Sequence, residues 1–426
     1  MEPYKKLLLD NRLRLLLIPQ EGAKTVTVLV LVEAGSKYEI KELNGLSHFL
    51  EHMCFKGTKK RPKSIDISSE LDQIGAEYNA FTGQEVTGYF TKAQAKHFET
   101  LTDVISDLYL NPVFDPREID TERGVIIEEI NMYEDTPQRR VQELFISLLY
   151  KDQPAGWDIA GRKEVIKKIS REDFLKYRQD HYVASATLIV VAGAFDEKET
   201  IEIIKEKFAE ISQGVKKEKA VTTESQTEPE ILSKQKTTDQ THLVLGVRAF
   251  DIFDKRKYAL QVMSDILGGG MSSRLFQRIR GELGAVYYIG ASSDLFTDHG
   301  FFSVSAGVDH NKLEIVADTI IKELKRIKEE KVSDKELKRV KDHLIGGLIL
   351  NLETSDELAS FYGGQEIITK EILTPEEIFE KINQVTEKDI IELANDIFLN
   401  EKLNLAVIGP ENFKPKLQPF LNFKNH

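Results

Sequence analysis

Apolar residues in the first part of the chain fall into short runs that end at turn-forming residues. Runs rich in leucine and β-branched residues predict strands, and they occur at 13–19 (LRLLLIP), 25–36 (TVTVLVLVEAGS) and 186–193 (ATLIVVAG). The stretch at 77–93, EYNAFTGQEVTGYFTKA, predicts a β-hairpin whose turn lies near Thr82 and Gly83. These strands are the first elements of a sheet.

Between the strands, the apolar residues change to the spacing of helices. This spacing predicts helices at about 45–56, 93–110 and 116–150. Pro112 and Pro116 mark the break between the last two. In the stretch at 196–211, DEKETIEIIKEKFAEI, the apolar residues are spaced as on one face of an amphipathic helix.

A change of composition near the middle divides the chain. Residues 213–232 are rich in Lys, Glu, Ser and Thr and contain few large apolar residues, which is typical of a solvated linker. The linker separates a first half, 1–212, from a second half, 233–426.

The order of elements in the first half returns in the second. THLVLGVRAF at 241–250 takes the place of the strand at 25–35, and IFLNEKLNLAVIGPENFKP at 397–415 takes the place of HYVASATLIVVAGAFDEKE at 181–199. Few residues are identical, but strands, helices and closing strand follow in the same order. We therefore predict an α+β protein of two homologous halves, each a mainly antiparallel sheet packed with helices.

The composition is that of a globular protein, with 426 residues, 41% of them hydrophobic and 30% charged. A net charge of −12 argues against nucleic-acid binding. The longest apolar run, VTVLVLV, is too short to cross a membrane. The N-terminal leucines resemble a signal peptide, but Asp10, Arg12 and Arg14 interrupt them. Cys54 is the single cysteine, so no intrachain disulfide forms and we expect a cytoplasmic location.

The stretch at 48–58, HFLEHMCFKGT, carries two histidines four residues apart. On a helix His48 and His52 differ by about 40° in direction, so one ion can bind both. Glu51 lies about 100° from His52, where it can reach a water held by the ion and act as general base. This H-x-x-E-H order is a metallopeptidase motif. The alternative is a buried histidine pair without a metal, whose polar atoms are satisfied by other partners.

A catalytic zinc site needs a third protein ligand, which this stretch lacks. The best candidates lie at 115–137, in DPREIDTERGVIIEEINMYEDTP. With Ile126 at zero on a helical wheel, Glu122 at about −40° and Glu129 at about −60° lie in the apolar, core-facing sector. Glu128, at about 200°, faces solvent. We predict that Glu129 is the third ligand and that Glu122 accepts a hydrogen bond from a ligand imidazole. For Glu122 a buried salt bridge to an arginine is the alternative.

HFLEHMCFKGT followed by ERGVIIEEI resembles the inverted-motif zinc peptidases of the pitrilysin, insulin-degrading-enzyme and mitochondrial-processing-peptidase superfamily. The resemblance extends over the whole chain, including the duplicated halves. It implies that His48, His52 and Glu129 hold one zinc ion per chain. It also implies that Glu51 takes a proton from water and delivers it to the leaving amine. Glu122 matches the glutamate that precedes the distant ligand by seven residues.

Other stretches resemble the parts of this superfamily that contact substrate. Asn79, Ala80 and Phe81 match an edge strand that binds extended peptides by backbone pairing. Arg280 and Tyr287 match an arginine and a tyrosine seven residues apart that contact the substrate backbone and stabilise the oxyanion. The second half has no H-x-x-E-H, and ALQVMSDILGGG takes its place. The resemblance therefore implies that 1–212 is the catalytic, zinc-binding half and that 233–426 forms the opposite, non-catalytic wall.

The resemblance implies a zinc-dependent endopeptidase that cleaves unfolded or short peptides in an enclosed chamber. Two half-length chains would face each other, as a homodimer or as a heterodimer with a metal-less relative. Arg280 and Tyr287 would then act on the zinc site of the other chain. One alternative is a non-catalytic structural or substrate-recognition subunit with the same fold, and another is a metal-dependent hydrolase of small amides. No phosphate-binding loop or dinucleotide motif indicates a nucleotide-dependent enzyme.

Overall fold

The computed structural model describes residues 3–423 and contains two compact units. Unit 1 consists of Met1–Ile130, Trp157–Ala220 and Ile349–Thr374. Unit 2 consists of Asn131–Gly156, Val221–Leu348 and Pro375–His426. Each unit has one β-sheet with helices packed on it, which confirms the predicted α+β class with two similar halves.

Eleven strands are found in the described residues. In chain order they are β1 Lys5–Leu8, β2 Arg14–Pro19, β3 Thr25–Val32, β4 Glu77–Thr82, β5 Thr87–Gln94, β6 Thr187–Gly193, β7 Glu230–Gln235, β8 Thr241–Arg248, β9 Val286–Leu295, β10 Gly300–Val308 and β11 Leu403–Gly409. The strands of unit 1 lie in the order β1-β2-β6-β3-β5-β4, and those of unit 2 in the order β7-β11-β8-β10-β9.

The α-helices in the same part of the chain are α1 Leu46–Cys54, α2 Ser64–Asp72, α3 Phe98–Leu110, α4 Pro116–Asp135, α5 Pro137–Tyr150, α6 Lys163–Ile166, α7 Arg171–His181, α8 Glu197–Lys207, α9 Lys257–Gly268, α10 Leu313–Glu329, α11 Asp334–Leu350, α12 Ser355–Ile368, α13 Pro375–Gln384, α14 Glu387–Ile397 and α15 Lys414–Leu417. A π-helical segment spans Phe276–Glu282. None of the helices between residues 3 and 423 is both long enough and apolar enough to cross a bilayer.

The two sheets have the same topology. Five strands of unit 1, β2-β6-β3-β5-β4, correspond in order to β7-β11-β8-β10-β9 of unit 2, and β1 is an addition at one edge. Among residues 3–423 the parallel pairs are β2 with β6 and β7 with β11, which are equivalent positions in this comparison. The duplication inferred from the sequence is thus present strand by strand.

The central strands of the sheet in unit 1, β2, β3 and β6, are buried on both faces, which explains their continuous apolar runs. Val28 and Val30 of β3 face a core that includes α1 and α3. Leu29 and Leu31, on the opposite face of the same strand, pack with Tyr362 of α12. Helix α12 comes from beyond the linker, so the first sheet is completed by a helix from the second half of the sequence.

The sheet of unit 2 is completed in the converse way. Val244 of β8 and Ile408 of β11 pack against Phe145 and Leu149 of α5. Helix α5 belongs to the first half of the sequence. Leu243, next to Val244 on β8, faces the opposite core with α9 and α10. The compact units therefore differ from the two uninterrupted stretches 1–212 and 233–426, because each sheet needs a second covering helix.

Some predicted boundaries are wrong. The helix expected from residue 93 begins at Phe98, because residues up to Gln94 pair with β3 as strand β5. The helix expected at 116–150 is two helices, since α4 ends at Asp135 and Pro137 opens α5, a position where the missing N–H of proline costs nothing. Strands β1, β7, β9 and β10 are additional to those predicted.

The segment between Lys207 and Glu230 contains neither helix nor strand. The predicted linker extends to residue 232, whereas this segment ends earlier because β7 begins at Glu230. Lys216 lies 2.7 Å from the carboxylate of Glu33, and Lys219 lies 3.2 Å from that of Glu85. These ion pairs hold part of the segment against unit 1.

Candidate metal centre

A buried carboxylate holds the N-terminus of α1, the helix that carries the paired histidines. Glu39 accepts hydrogen bonds from the backbone N–H of Gly45 (2.8 Å) and Ser47 (2.7 Å). The hydroxyl of Ser47 (2.5 Å) and the side-chain amide of Asn44 (3.1 Å) donate to the same carboxylate. Burial raises the pKa of Glu39 to about 7, although these four donors favour the ionised form. Glu39 thereby fixes where α1 begins.

Two glycines let the chain pass close to this N-terminus. Gly45 has a φ of 99°, and a Cβ there would lie 2.7 Å from the carbonyl oxygen of Ala160. Gly161 has a φ of 78°, and its Cβ would lie 2.3 Å from the carbonyl oxygen of Asn44. Because only glycine fits both positions, the two backbones pack directly against each other.

Helix α4, which carries the distant glutamates, is held beside α1 by an arginine. The guanidinium of Arg123 donates to the carbonyl oxygens of Ile166 and Ile169. The same guanidinium lies 5.7 Å from the ring centre of Phe49 on α1. One side chain of α4 thus contacts both α1 and the loop beyond α6.

Three side chains from α1 and α4 meet at one point. The Nε2 atoms of His48 and His52 are 3.2 Å apart. One carboxylate oxygen of Glu129 lies 3.7 Å from Nε2 of His48 and 3.6 Å from Nε2 of His52. Ligands about 2.0–2.2 Å from a tetrahedral zinc ion are about 3.4 Å from one another, so this spacing fits such an ion. Among residues 3–423 this is the one group of three or more His, Cys, Asp or Glu side chains whose ligand atoms are close enough to share a metal.

The proton positions in this group also favour a cation. Nδ1 of His52 lies 2.9 Å from the carboxylate of Glu122. A carboxylate accepts, so Nδ1 carries the proton and Nε2 presents its lone pair towards Glu129. Burial opposes a charge on His52, but the hydrogen bond to Glu122 and the nearby carboxylates outweigh it and raise the pKa of His52. The surroundings therefore attract positive charge to Nε2.

Glu122 is buried and has two partners. One oxygen accepts from His52, and the other lies 2.5 Å from Nζ of Lys56. Burial alone would raise the pKa of Glu122, but these two contacts lower it overall. The predicted imidazole contact is present, and the cation that pairs with this carboxylate is a lysine where the alternative expected an arginine. Glu128 is exposed, in agreement with the helical wheel.

Glu51 lies beside the group and is partly buried. The hydroxyl of Thr82, at the end of β4, donates to one of its carboxylate oxygens at 2.5 Å. Burial raises the pKa of Glu51, and the hydrogen bond from Thr82 partly offsets that rise. A carboxyl group of raised pKa next to a metal-binding group is suited to take up and release a proton.

Strand β4, which contains Asn79, Ala80 and Phe81, lies at the edge of the first sheet and pairs on one side with β5. Ala80 packs towards the core that contains α1, while Phe81 is 46% exposed on the opposite face. The backbone N–H of Ala80 donates to the side-chain oxygen of Asn79 at 2.9 Å. The strand has the free edge that pairing with an extended peptide requires.

Family models match most of the chain. The model described as insulinase (peptidase family M16) matches residues 14–163, and the model described as peptidase M16 inactive domain matches residues 168–344. The chain belongs to peptidase family M16. The resemblance drawn from the histidine motif is confirmed.

Curated relatives in the family are similar over almost their full length. A protein named "Uncharacterized zinc protease YmxG" of Bacillus subtilis is 32% identical, covering 96% of this chain and 99% of the relative. An "Uncharacterized zinc protease" of Rickettsia bellii is 34% identical, covering 95% of this chain and 97% of the relative. These names describe a zinc protease, and this M16 chain is similar to them as a whole.

Solved structures share the fold of this M16 chain at lower identity. A protease from Helicobacter pylori has a TM-score of 0.89 at 21% identity and covers 96% of this chain and 99% of its own. A peptidase M16 inactive domain from Pseudomonas fluorescens has a TM-score of 0.87 at 15% identity and covers 96% and 98%. The full-length match supports the two-sheet architecture described above.

The other predicted site residues of the M16 chain lie in unit 2. Arg280 is exposed in the π-helical segment, with its guanidinium 5.2 Å from the ring centre of Phe276. Tyr287 is 73% exposed near the start of β9. Both side chains are accessible, and their roles stay predictions.

Unit 2 has no second metal group of this kind among the residues described. Helix α9 takes the place of α1, and its Asp265 pairs with His343 of α11 at 3.0 Å. The second family model, which carries the word "inactive", covers both of these residues. Within the part of the chain that the structure describes, the candidate metal-binding group therefore lies in one of the two similar units.

The sequence-based analysis missed three residues that hold this site. Lys56 follows His52 by four residues, a spacing that points both side chains the same way. Thr82 ends the stretch already considered for substrate binding. Glu39 gives no comparable signal, because its contacts depend on how the loop before α1 folds back.

We predict that the native protein loses stability relative to a Glu39→Gln variant as the pH rises from 4.5 to 7. The folded-state pKa of Glu39, about 7, lies above its ordinary value of 4.5. Its contribution is therefore complete below the lower value and is lost as the pH passes the upper one. The difference between the two unfolding free energies should change by up to about 3 kcal/mol. Urea unfolding of both proteins below, within and above this range measures it, and a constant difference would contradict it.

Proposed function

We propose that this chain is a zinc-dependent endopeptidase that cleaves unfolded or short peptides. The observation that carries the proposal is the meeting of His48, His52 and Glu129, with Glu51 beside them. Family membership and relatives named zinc proteases support the same activity. A zinc ion held by the three side chains would lower the pKa of a bound water and polarise a peptide carbonyl.

The residues of the chain perform the proton transfers. Glu51 removes a proton from the attacking water and later delivers it to the leaving amine. Thr82 and the buried surroundings hold its carboxylate in place. Glu122, neutralised by Lys56, keeps the imidazole of His52 oriented so that Nε2 faces Glu129.

The substrate is held by its backbone in this proposal. The free edge of β4, at Asn79, Ala80 and Phe81, accepts an extended peptide as an additional strand. Backbone pairing does not depend on the side chains of the substrate, so unfolded segments of varied sequence are accepted. Segments whose backbone is already hydrogen-bonded within a folded protein cannot pair in this way and are excluded.

The proposed assembly contains two chains around an enclosed chamber. Arg280 and Tyr287 contact the substrate and stabilise the oxyanion at the zinc site of the other chain. Their exposure is consistent with that role. The partner is a second copy or a metal-less relative, and a cytoplasmic location fits the single, buried and unbridged Cys54.

A non-catalytic subunit of a larger complex is the second candidate. The word "inactive" in the name of the family model for residues 168–344 is the observation in its favour. The residues that this model matches include none of the metal-binding group, which lies in residues matched by the insulinase model. The enzyme proposal is therefore preferred.

We predict that Glu51→Gln lowers the cleavage rate of a quenched fluorescent peptide by at least about 100-fold, because general acid–base transfer is lost. The variant should still contain about one zinc ion per chain by elemental analysis, since Glu51 is not among the ligands. His48→Ala should lose both zinc and activity. Glu128→Gln, at the exposed neighbour of Glu129, is the matched control and should resemble the native protein.

Two results would count against the enzyme proposal. Cleavage that survives in the Glu51→Gln variant would remove the assigned base. Purified native protein that binds no zinc and cleaves no peptide would favour the non-catalytic subunit.

We also predict that activity is shared between two chains. A His48→Ala chain and an Arg280→Ala chain should each be inactive alone, and mixing them should restore up to about a quarter of native activity, since half of the random pairs are mixed and each has one intact site. Peptide cleavage and native mass spectrometry on the same mixture measure this. Mixed dimers without recovered activity would show that Arg280 does not act on the other chain.

A further inference from the structure

The proposed base is in contact with the strand that is proposed to bind the peptide. Thr82, the last residue of β4, donates its hydroxyl hydrogen to one carboxylate oxygen of Glu51 at 2.5 Å. An ionised carboxylate only accepts, so the hydroxyl must be the donor. Short O–H···O⁻ contacts of this kind are among the strong hydrogen bonds of proteins. The contact fixes the direction of a side chain that could otherwise rotate about three bonds.

Thr82 is itself held by the hairpin. It pairs with Thr87 at the first position of β5, and the N–H of Gly83 donates to the carbonyl oxygen of Val86 across the turn at 2.8 Å. The turn is thereby closed immediately after Thr82. The hydroxyl of Thr82 has little freedom to follow a moving Glu51.

A second loop holds the turn from outside. The N–H groups of Ser36 and Lys37 donate to the carbonyl oxygens of Gly83 (3.2 Å) and Gln84 (2.9 Å). Gly35 approaches so closely that a Cβ there would lie 2.4 Å from the carbonyl oxygen of Gly83. This loop precedes α1 in the sequence, so the turn beside Thr82 and the helix that bears Glu51 are anchored to one piece of chain.

The side chains of β4 point alternately to its two faces, and only one face meets α1. Tyr78 and Ala80 pack towards the core that contains α1, and Thr82 follows at the same alternating position. The side chains on this face meet the helix of Glu51, while the backbone along the edge of the strand is available for pairing. The same strand therefore contacts the base and carries the edge assigned to the peptide.

We propose that Thr82 is a positioning residue that links the peptide-binding edge of β4 to the general base Glu51. This inference rests on the proposed function. Thr82 holds one oxygen of Glu51 so that the other faces the attacking water. A peptide paired along β4 is bound to the same strand that sets this orientation, so one strand positions both the substrate and the base.

The decisive substitution is Thr82→Val, which keeps the branched shape and the strand preference but removes the hydroxyl. We expect kcat to fall about 10- to 100-fold, the range that corresponds to losing one hydrogen bond to a charged group. KM, zinc content and the affinity of the zinc-free protein for an intact peptide should stay unchanged. Thr82→Ser restores a hydroxyl and should recover most of kcat.

Thr87→Val is the matched control, because its hydroxyl lies on the same hairpin but donates to the carbonyl oxygen of Ala34 at 3.0 Å. It should lower the melting temperature and leave kcat near the native value. A similar loss of kcat in both variants would mean that the hairpin as a whole, and not the hydroxyl of Thr82, is responsible.

The remaining outcomes separate this inference from the proposed function. If Glu51→Gln abolishes cleavage while Thr82→Val keeps native kcat, the positioning role is wrong and the enzyme proposal stands. If Thr82→Val weakens peptide binding at unchanged kcat, or lowers kcat only in proportion to lost zinc, Thr82 belongs to the binding strand or supports the metal, and the inference is overturned. If Glu51→Gln is fully active, the proposed function itself fails.

Discussion

Unit 1 is organised around a group of side chains whose arrangement favours a cation. When Nδ1 of His52 donates to Glu122, the lone pair of Nε2 on the neutral ring faces a carboxylate oxygen of Glu129 at 3.6 Å. A proton or a metal ion between these two atoms removes the repulsion, in line with the raised pKa of His52. The contacts of Glu39 and Arg123 fix α1 and α4 from outside the group.

The duplicated architecture separates this demanding chemistry from the rest of the chain. Both units have the same strand order, so the second unit shows what the fold requires without a metal. In place of the histidine pair it has an apolar helix whose Asp265 pairs with His343. The same strand order thus occurs with and without the candidate ligands, which lie in one copy.

Local patterns in the sequence were sufficient for the parts of the site that lie on single helices. The H-x-x-E-H spacing and the wheel of α4 separate Glu129 from Glu128, because both depend only on helical geometry. Contacts such as those of Thr82 with Glu51, or Lys56 with Glu122, join segments far apart in the chain. The spacing of Lys56 and His52 is the one local signal among these residues, and the contacts themselves are seen only in the folded structure.

The same limit applies to the fold. Continuous apolar runs such as β3 and β6 predict strands, and their lack of alternation indicates burial on both faces. The pattern does not state which helix covers the second face. That information lies in α5 and α12, whose apolar stripes are equally compatible with packing on either sheet. The sequence predicts a contiguous division at the linker, whereas each compact unit contains segments from both sides of the linker.

The exchange of covering helices has a consequence for how such a chain can be divided. A break in the segment between Lys207 and Glu230 would leave the N-terminal fragment without α12, with Leu29 and Leu31 bare to water, and the C-terminal fragment without α5. Exposed apolar faces of that kind drive aggregation. Each half of the sequence supplies a helix that covers the sheet of the other, so neither fragment contains all the layers of a self-sufficient folding module.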